Sequence, residues 1–290
     1  MMQRRTLLLG TAATLAGCAI SPDRNHDGSD APWAAPLRRA VRTAWVLSSG
    51  GPRGFTHVGV LKALEELGLA PDLIVGASVG AMVGSLRASG MPAAEVERIA
   101  LEVQPMGLAR LSLGQAENLN GAPIAELVRR HALVPRLEQM PQAMACVATR
   151  RSDGKAIAFT AGDAGLAVQA STAIEGRFTP VRIHGEQYVD PDWSAPLPVR
   201  IARTLGARRV LAVDATVHLD RVPAAAERFR AMDLRKQALV DLDAVHADLV
   251  LKPDFGYWVN LSTEFRQRAI DAGYRSTLAQ APALRRLHGL

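Results

Sequence analysis

Leu73-Ile74-Val75-Gly76-Ala77-Ser78-Val79-Gly80-Ala81 decides how this chain reads. Leu73-Ile74-Val75 is a short branched apolar run, the mark of a buried strand rather than a helix. Gly76-Ala77-Ser78-Val79-Gly80 fits Gly-x-Ser-x-Gly, the pattern of a serine held on a sharp strand-to-helix turn with its hydroxyl projecting. The glycines leave room for close backbone approach. Ala81-Met82-Val83-Gly84-Ser85-Leu86 then reads as a tightly packed helix whose positive N-terminal end favours an oxyanion near Ser78. On its own the pentapeptide is also compatible with an ordinary strand, turn and helix.

Upstream, Thr43-Ala44-Trp45-Val46-Leu47 reads as a strand, followed by Ser48-Ser49-Gly50-Gly51-Pro52-Arg53-Gly54 and a helix from about Thr56 to Leu67. With the strand at Leu73 this makes a β-α-β unit, so the strands are parallel and both loops emerge at the carboxyl edge of the sheet. Pro52 has no N–H, so backbone donors for a developing oxyanion come from Gly50, Gly51, Arg53 or Gly54. The loop lacks the Gly-Lys-Ser/Thr ending of a phosphate-binding loop, and no Gly-x-Gly-x-x-Gly follows the strand.

The 290 residues carry 34 Lys+Arg against 28 Asp+Glu, a formal charge of +6, but the basic residues are scattered and aromatics make up only 4%. That argues against nucleic-acid binding and suits weak attraction to anionic lipid. Arg4-Arg5, an apolar stretch to Ala16, and Leu15-Ala16-Gly17-Cys18 have the proportions of an export signal. Their ending resembles a bacterial lipobox. Residues 1–17 are therefore expected to be a signal peptide, Cys18 to carry lipid, and 18–40 to be a linker from a membrane anchor in the cell envelope. The folded domain is expected over 41–290, starting near Arg42. Cys146, in an apolar run, reads as a small core residue.

The glycine loop, the helix Thr56–Glu66 and the serine turn together resemble the patatin-like phospholipases, which carry Gly-Gly-Gly-x-Arg/Lys-Gly, a helix, and Gly-x-Ser-x-Gly at similar spacing. Ser49 stands where the first glycine often does. Further on, Val168–Pro180 resembles the family's Ala-Ser-x-Ala-Ile-Pro-Gly-x-Phe segment, with Glu175 for the proline. Tyr188-Val189-Asp190-Pro191-Asp192 through Pro196-Leu197-Pro198 resembles its Asp-Gly-Gly/Ala block, with Pro191 for the glycine and Asp192 on a position usually glycine or alanine.

The resemblance implies an α/β fold of three αβα layers with a mostly parallel central sheet and a Ser–Asp dyad, Ser78 and Asp190, at its carboxyl edge. It implies a lipid acyl hydrolase of phospholipase, lysophospholipase or esterase type, needing neither metal nor cofactor. Its partners would be an acyl-ester substrate and a membrane surface. Asp192 is expected to be a solvated loop carboxylate, Arg53 to brace its loop, and His57 to be a packing residue. Two other readings stay open: a catalytically silent lipid-binding lipoprotein, and a Ser-Asp-His esterase using His218, His246 or His288. Downstream, helices are expected over about 224–246, 263–272 and 276–287, with a strand at Ala247–Leu251.

Overall fold

The computed structural model describes residues 24–112 and 117–290. In chain order the strands are β1 (Asn25–His26), β2 (Thr43–Leu47), β3 (Leu73–Ala77), β4 (Arg110–Leu111), β5 (Leu119–Asn120), β6 (Ala143–Arg150), β7 (Ala156–Phe159), β8 (Val181–Ile183), β9 (Glu186–Val189), β10 (Arg209–Val213) and β11 (Leu249–Leu251). The helices are α1 (Phe55–Glu66), α2 (Val79–Ala88), α3 (Ala93–Glu102), α4 (Ala122–His131), α5 (Ala164–Ser171), α6 (Val199–Thr204), α7 (Arg230–Ala244), α8 (Thr263–Ala279) and α9 (Ala281–His288).

Among the described residues nine strands form one sheet in the order β1-β8-β9-β6-β3-β2-β10-β11, with β7 also paired to β6. From β6 to β11 all neighbours run parallel. The hairpin strands β7, β8 and β9 bring antiparallel pairing to the other side. Parallel strands need helical crossovers, so both faces must be covered, and near-continuous apolar runs result. Alternation within those runs assigns each residue to a layer. Trp45, Leu47, Ile74, Met144, Cys146, Leu211 and Val213 belong to the core shared with α1, α2, α4 and α5. Ala44, Val46, Leu73, Val75, Ala145, Val210 and Ala212 face the core built with α6 and α7. These are the three layers expected.

The chain enters the sheet centre at β2, steps to β3 and β6, then returns to the other side of β2 as β10 and β11. Such a reversal opens a crevice at the carboxyl ends of the strands. Leu47 pairs with Gly76 and with Val213, so the loops after β2, β3 and β10 leave the sheet at one level.

Several expectations change. Residues 24–40 are not a free linker: β1 pairs in parallel with β8, Ala31 and Pro32 are buried, and Trp33 exchanges backbone hydrogen bonds with Ala161. The order comes from edge pairing and backbone bonds, which leave no hydrophobic period. Packed structure thus begins by Asn25 rather than Arg42, while residues 1–17 and Cys18 lie outside the described residues. A small antiparallel pair, β4 with β5, stands apart from the main sheet. The helix expected over 224–246 is a 3-10 segment, Ala224–Phe229, running into α7. The last helices part at Gln280 because Pro282 starts a new first turn there.

Candidate active site

Ser78 stands between the end of β3 and the start of α2 with φ 54° and ψ −121°, a conformation a non-glycine residue holds only under constraint from its surroundings. The sequence supplies the constraint by omission. A Cβ on Gly76 would lie 2.5 Å from the Ala81 Cα, and one on Gly80 would lie 2.2 Å from the Leu47 carbonyl oxygen. Only glycine lets α2 turn back this tightly over the sheet. The Ser78 N–H donates to Ser171 Oγ at 2.8 Å, and Ser171 Oγ donates to the Val147 carbonyl at 2.5 Å. Ser171 therefore ties the serine turn to β6. Ser171 lies within the Val168–Pro180 segment, whose local sequence assigns it no role.

Ser78 Oγ donates to Asp190 Oδ2 at 2.5 Å. Asp190 follows β9, and its own N–H donates to the Ala173 carbonyl at 2.9 Å. Its second oxygen, Oδ1, accepts the Asp192 N–H at 2.9 Å, capping the 3-10 turn Pro191–Trp193. Pro191 opens that turn, a place where no N–H is needed and a fixed φ fits. The departure from the family's glycine is thereby absorbed without moving the aspartate off the serine.

Both side chains are nearly inaccessible, Ser78 at 7% and Asp190 at 6% exposure. Burial raises the Asp190 carboxyl from its usual range to about 7, and the Asp192 carboxylate adds to the rise. The Ser78 hydroxyl and the Lys236 ammonium pull the other way. A carboxylate of that basicity can accept a hydroxyl proton near neutral pH.

The glycine loop is held from several directions. Ser49 N–H donates to Pro196 O at 2.8 Å. Arg53 is buried: Nε donates to Ala215 O at 2.7 Å, Nη1 to Gly256 O and Tyr257 O at 3.0 Å each, and the guanidinium lies 4.4 Å from the Phe255 ring centroid. It braces the loop against the segments that follow β10 and β11. Its backbone N–H donates to Gly50 O at 3.1 Å, so Arg53 has its donor committed within the loop, contrary to its place among the expected oxyanion donors. Gly51, with φ 52°, and Gly54 line the same cleft as Ser78, whereas Gly50 and Arg53 do not.

That cleft, about 580 Å³, runs from Ser78 between α2, α3 and α4, past Met82, Leu86, Ile99, Ile124, Leu127 and Phe178. Among its described lining residues only Ser78 and Thr172 bear polar side chains.

No histidine ring among the described residues hydrogen-bonds Ser78 or Asp190. His57 is fully buried, with Nε2–H donating to Ser48 O at 2.9 Å, and burial depresses its pKa to about 4, so it packs as a neutral ring. His288 accepts from Trp45 Nε1 at 3.2 Å and caps nothing in the cleft. Asp192 is not a solvated loop carboxylate: its Oδ1 accepts Ser49 Oγ–H and Lys236 Nζ–H, each at 2.5 Å. Local sequence carried no sign of this, because Lys236 comes from a helix far along the chain.

Comparison with known proteins shows what the chain is similar to. An uncharacterized NTE family protein of Mycobacterium bovis is 34% identical over 175 residues, covering 59% of this chain and 48% of that protein. Lysophospholipase NTE1 of Mycosarcoma maydis is 29% identical over 206 residues, 66% of this chain and 10% of that one. The chain thus spans about half the length of the mycobacterial relative and a small part of the fungal one. Among solved structures, VipD from Legionella pneumophila superposes with a TM-score of 0.50 at 15% identity, over 88% of this chain and 70% of that one, a likeness of fold. The patatin-like phospholipase family model matches residues 45–203, which run from β2 through Ser78 and Asp190 into α6, and the chain belongs to that family.

Proposed function

We propose that this protein hydrolyses fatty acyl esters through an acyl-Ser78 intermediate, with Asp190 as the base. The observation that carries the reading is the 2.5 Å bond to a buried Asp190 from the Oγ of Ser78, a residue that lines an apolar cleft. Asp190 takes the hydroxyl proton as Oγ attacks the ester carbonyl carbon. The oxyanion forms beside the Gly51 N–H and the positive end of α2. Collapse expels the alcohol, which leaves with the proton held by Asp190. Water then attacks the acyl-serine, giving a proton to Asp190, and the fatty acid departs as Ser78 regains its hydrogen. The acyl chain lies along Met82, Leu86 and Ile99, where burying each methylene contributes about 0.8 kcal/mol. Chain length should therefore govern turnover of simple esters.

The test is hydrolysis of nitrophenyl esters of rising chain length. Wild type should prefer longer acyl groups, and Ser78→Ala should lose roughly 10⁴-fold or more in rate. Retained hydrolysis by Ser78→Ala in a clean preparation would remove the nucleophile assignment.

The sequence Leu15-Ala16-Gly17-Cys18 further supports a lipid tether at Cys18 that holds the domain at a cell-envelope membrane. No helix among the described residues is long and apolar enough to cross a membrane. Cys18→Ala should release the protein from the membrane fraction. A mature N-terminus elsewhere, without lipid mass, would contradict the tether.

A further inference from the structure

Two positions where the sequence departs from the family's motifs, Ser49 and Asp192, are bonded to each other. Ser49 Oγ donates to Asp192 Oδ1, and Lys236 from α7 donates to the same oxygen, both at 2.5 Å. Lys236 and Asp192 are partly shielded, with side chains 19% and 31% exposed. Asp192 in turn donates its N–H to Asp190 Oδ1. A serine from the glycine loop, an acid beside the base and a lysine from a distant helix thus form one chain of contacts ending on the carboxylate bonded to Ser78.

An acid two residues from a buried aspartate is an electrostatic burden, since a nearby like charge disfavours ionisation of the base. Lys236 offsets that burden. We propose that Lys236 is a positioning residue for Asp190: by pairing with Asp192, which Ser49 fixes against the glycine loop, it lets Asp190 bear its charge next to a second carboxylate. The inference rests on Asp190 being the base.

The surrounding charges leave Lys236 as the cation in this role. Asp192 and Lys236 are the charged groups that act on Asp190. Elsewhere on α7, Arg235 stacks on the Trp193 ring at 4.8 Å and Asp233 accepts the Tyr257 hydroxyl. Lys252, after β11, is paired with Asp214 at 2.9 Å and donates to Gln237. From β6, Thr149 offers only a hydroxyl to the Asp190 carbonyl. The glycine loop contributes Ser49, and the turn before α2 the neutral Ser78.

The two charged partners should therefore move the base in opposite directions. Lys236→Met leaves Asp192 uncompensated, so the pH midpoint of Asp190 should rise by about one unit. Asp192→Asn removes the anion and leaves the cation, so the midpoint should fall by a similar amount. The double variant should lie between them, and Lys236→Arg should stay near wild type. A merely structural loss would not give opposite signs.

The experiment uses the full chain and two readouts. One is the rate of Ser78 labelling by a fluorophosphonate between pH 4.5 and 9. The other is the titration of the Asp190 carboxyl in ¹³C-aspartate-labelled protein, assigned by its disappearance in Asp190→Asn. Opposite shifts of both readouts in Lys236→Met and Asp192→Asn support the proposal. Labelled Ser78 with unmoved midpoints, or with midpoints moving the same way, overturns it and leaves the catalytic reading intact. Failure of wild type to label at any pH overturns the base assignment, and the role of Lys236 with it. Should Lys236→Met fail to fold, Asp192→Asn against wild type decides, since an unshifted midpoint there is sufficient to reject the coupling.

Discussion

At the scale of single residues, Asp190 joins proposed activity to an expected penalty in stability. Its carboxyl lies at about 7 in the folded protein against 3.8 as an ordinary aspartate, a gap worth about 4 kcal/mol at most. The raised value means that the folded state holds the proton more tightly than the unfolded chain. Below pH 3.8 both states are protonated and nothing is lost. Stability then falls as pH rises through 7, where the buried group must ionise. Asp190→Asn keeps the size and the capping acceptor but cannot ionise. Thermal unfolding of Asp190→Asn should therefore gain over wild type at pH 8 and match it near pH 4, while ester turnover nearly vanishes. A variant less stable than wild type at pH 8 would refute the burial cost. Asp192→Asn in the same assays should keep most turnover, because its contact with Ser78 runs only through Asp190.

At the scale of elements, α1 and α8 are packed against each other and α8 is tied to a wall of the cleft. Gly59 on α1 faces α8 so closely that a Cβ would lie 1.8 Å from the Ile270 carbonyl oxygen, and on α8 a Gly273 Cβ would lie 2.2 Å from Thr56 O. The helices meet backbone to backbone. Arg266 of α8 also donates to the Ala100, Leu101 and Val103 carbonyls at the end of α3, a wall of the cleft. Gly59→Ala should cost roughly 1–3 kcal/mol or more by forcing these helices apart, measured by urea denaturation. An unchanged midpoint would mean the pair can shift freely.

The elements that were legible in the sequence are those whose burial leaves a continuous apolar run or a steric demand for glycine. The runs at Thr43–Leu47 and Leu73–Ala77 are buried on both faces, and the glycines around Ser78 record a steric demand in residue identity. What sequence could not show arises from contacts between distant segments. Asn25–His26 is a strand only because β8 lies beside it, β8 and β9 are short and partly exposed, and Asp192 is paired only because α7 brings up Lys236. The chosen aspartate was readable from its motif, whereas the commitment of the Arg53 N–H to Gly50 was a matter of loop geometry alone.

At the scale of the whole molecule, the sheet gathers its chemistry at one edge. The loop after β2, the turn after β3 and the segment after β9 converge on a cleft whose walls are supplied by α2, α3 and α4. The central claim is that Ser78 becomes acylated, and the most direct measurement is the mass of the Ser78 peptide after acid quenching during turnover of a long-chain nitrophenyl ester. The account predicts a peptide heavier by one fatty acyl group, absent from Ser78→Ala. Acylation at another residue, or hydrolysis with Ser78 never modified under conditions that trap the ester intermediate, would contradict it.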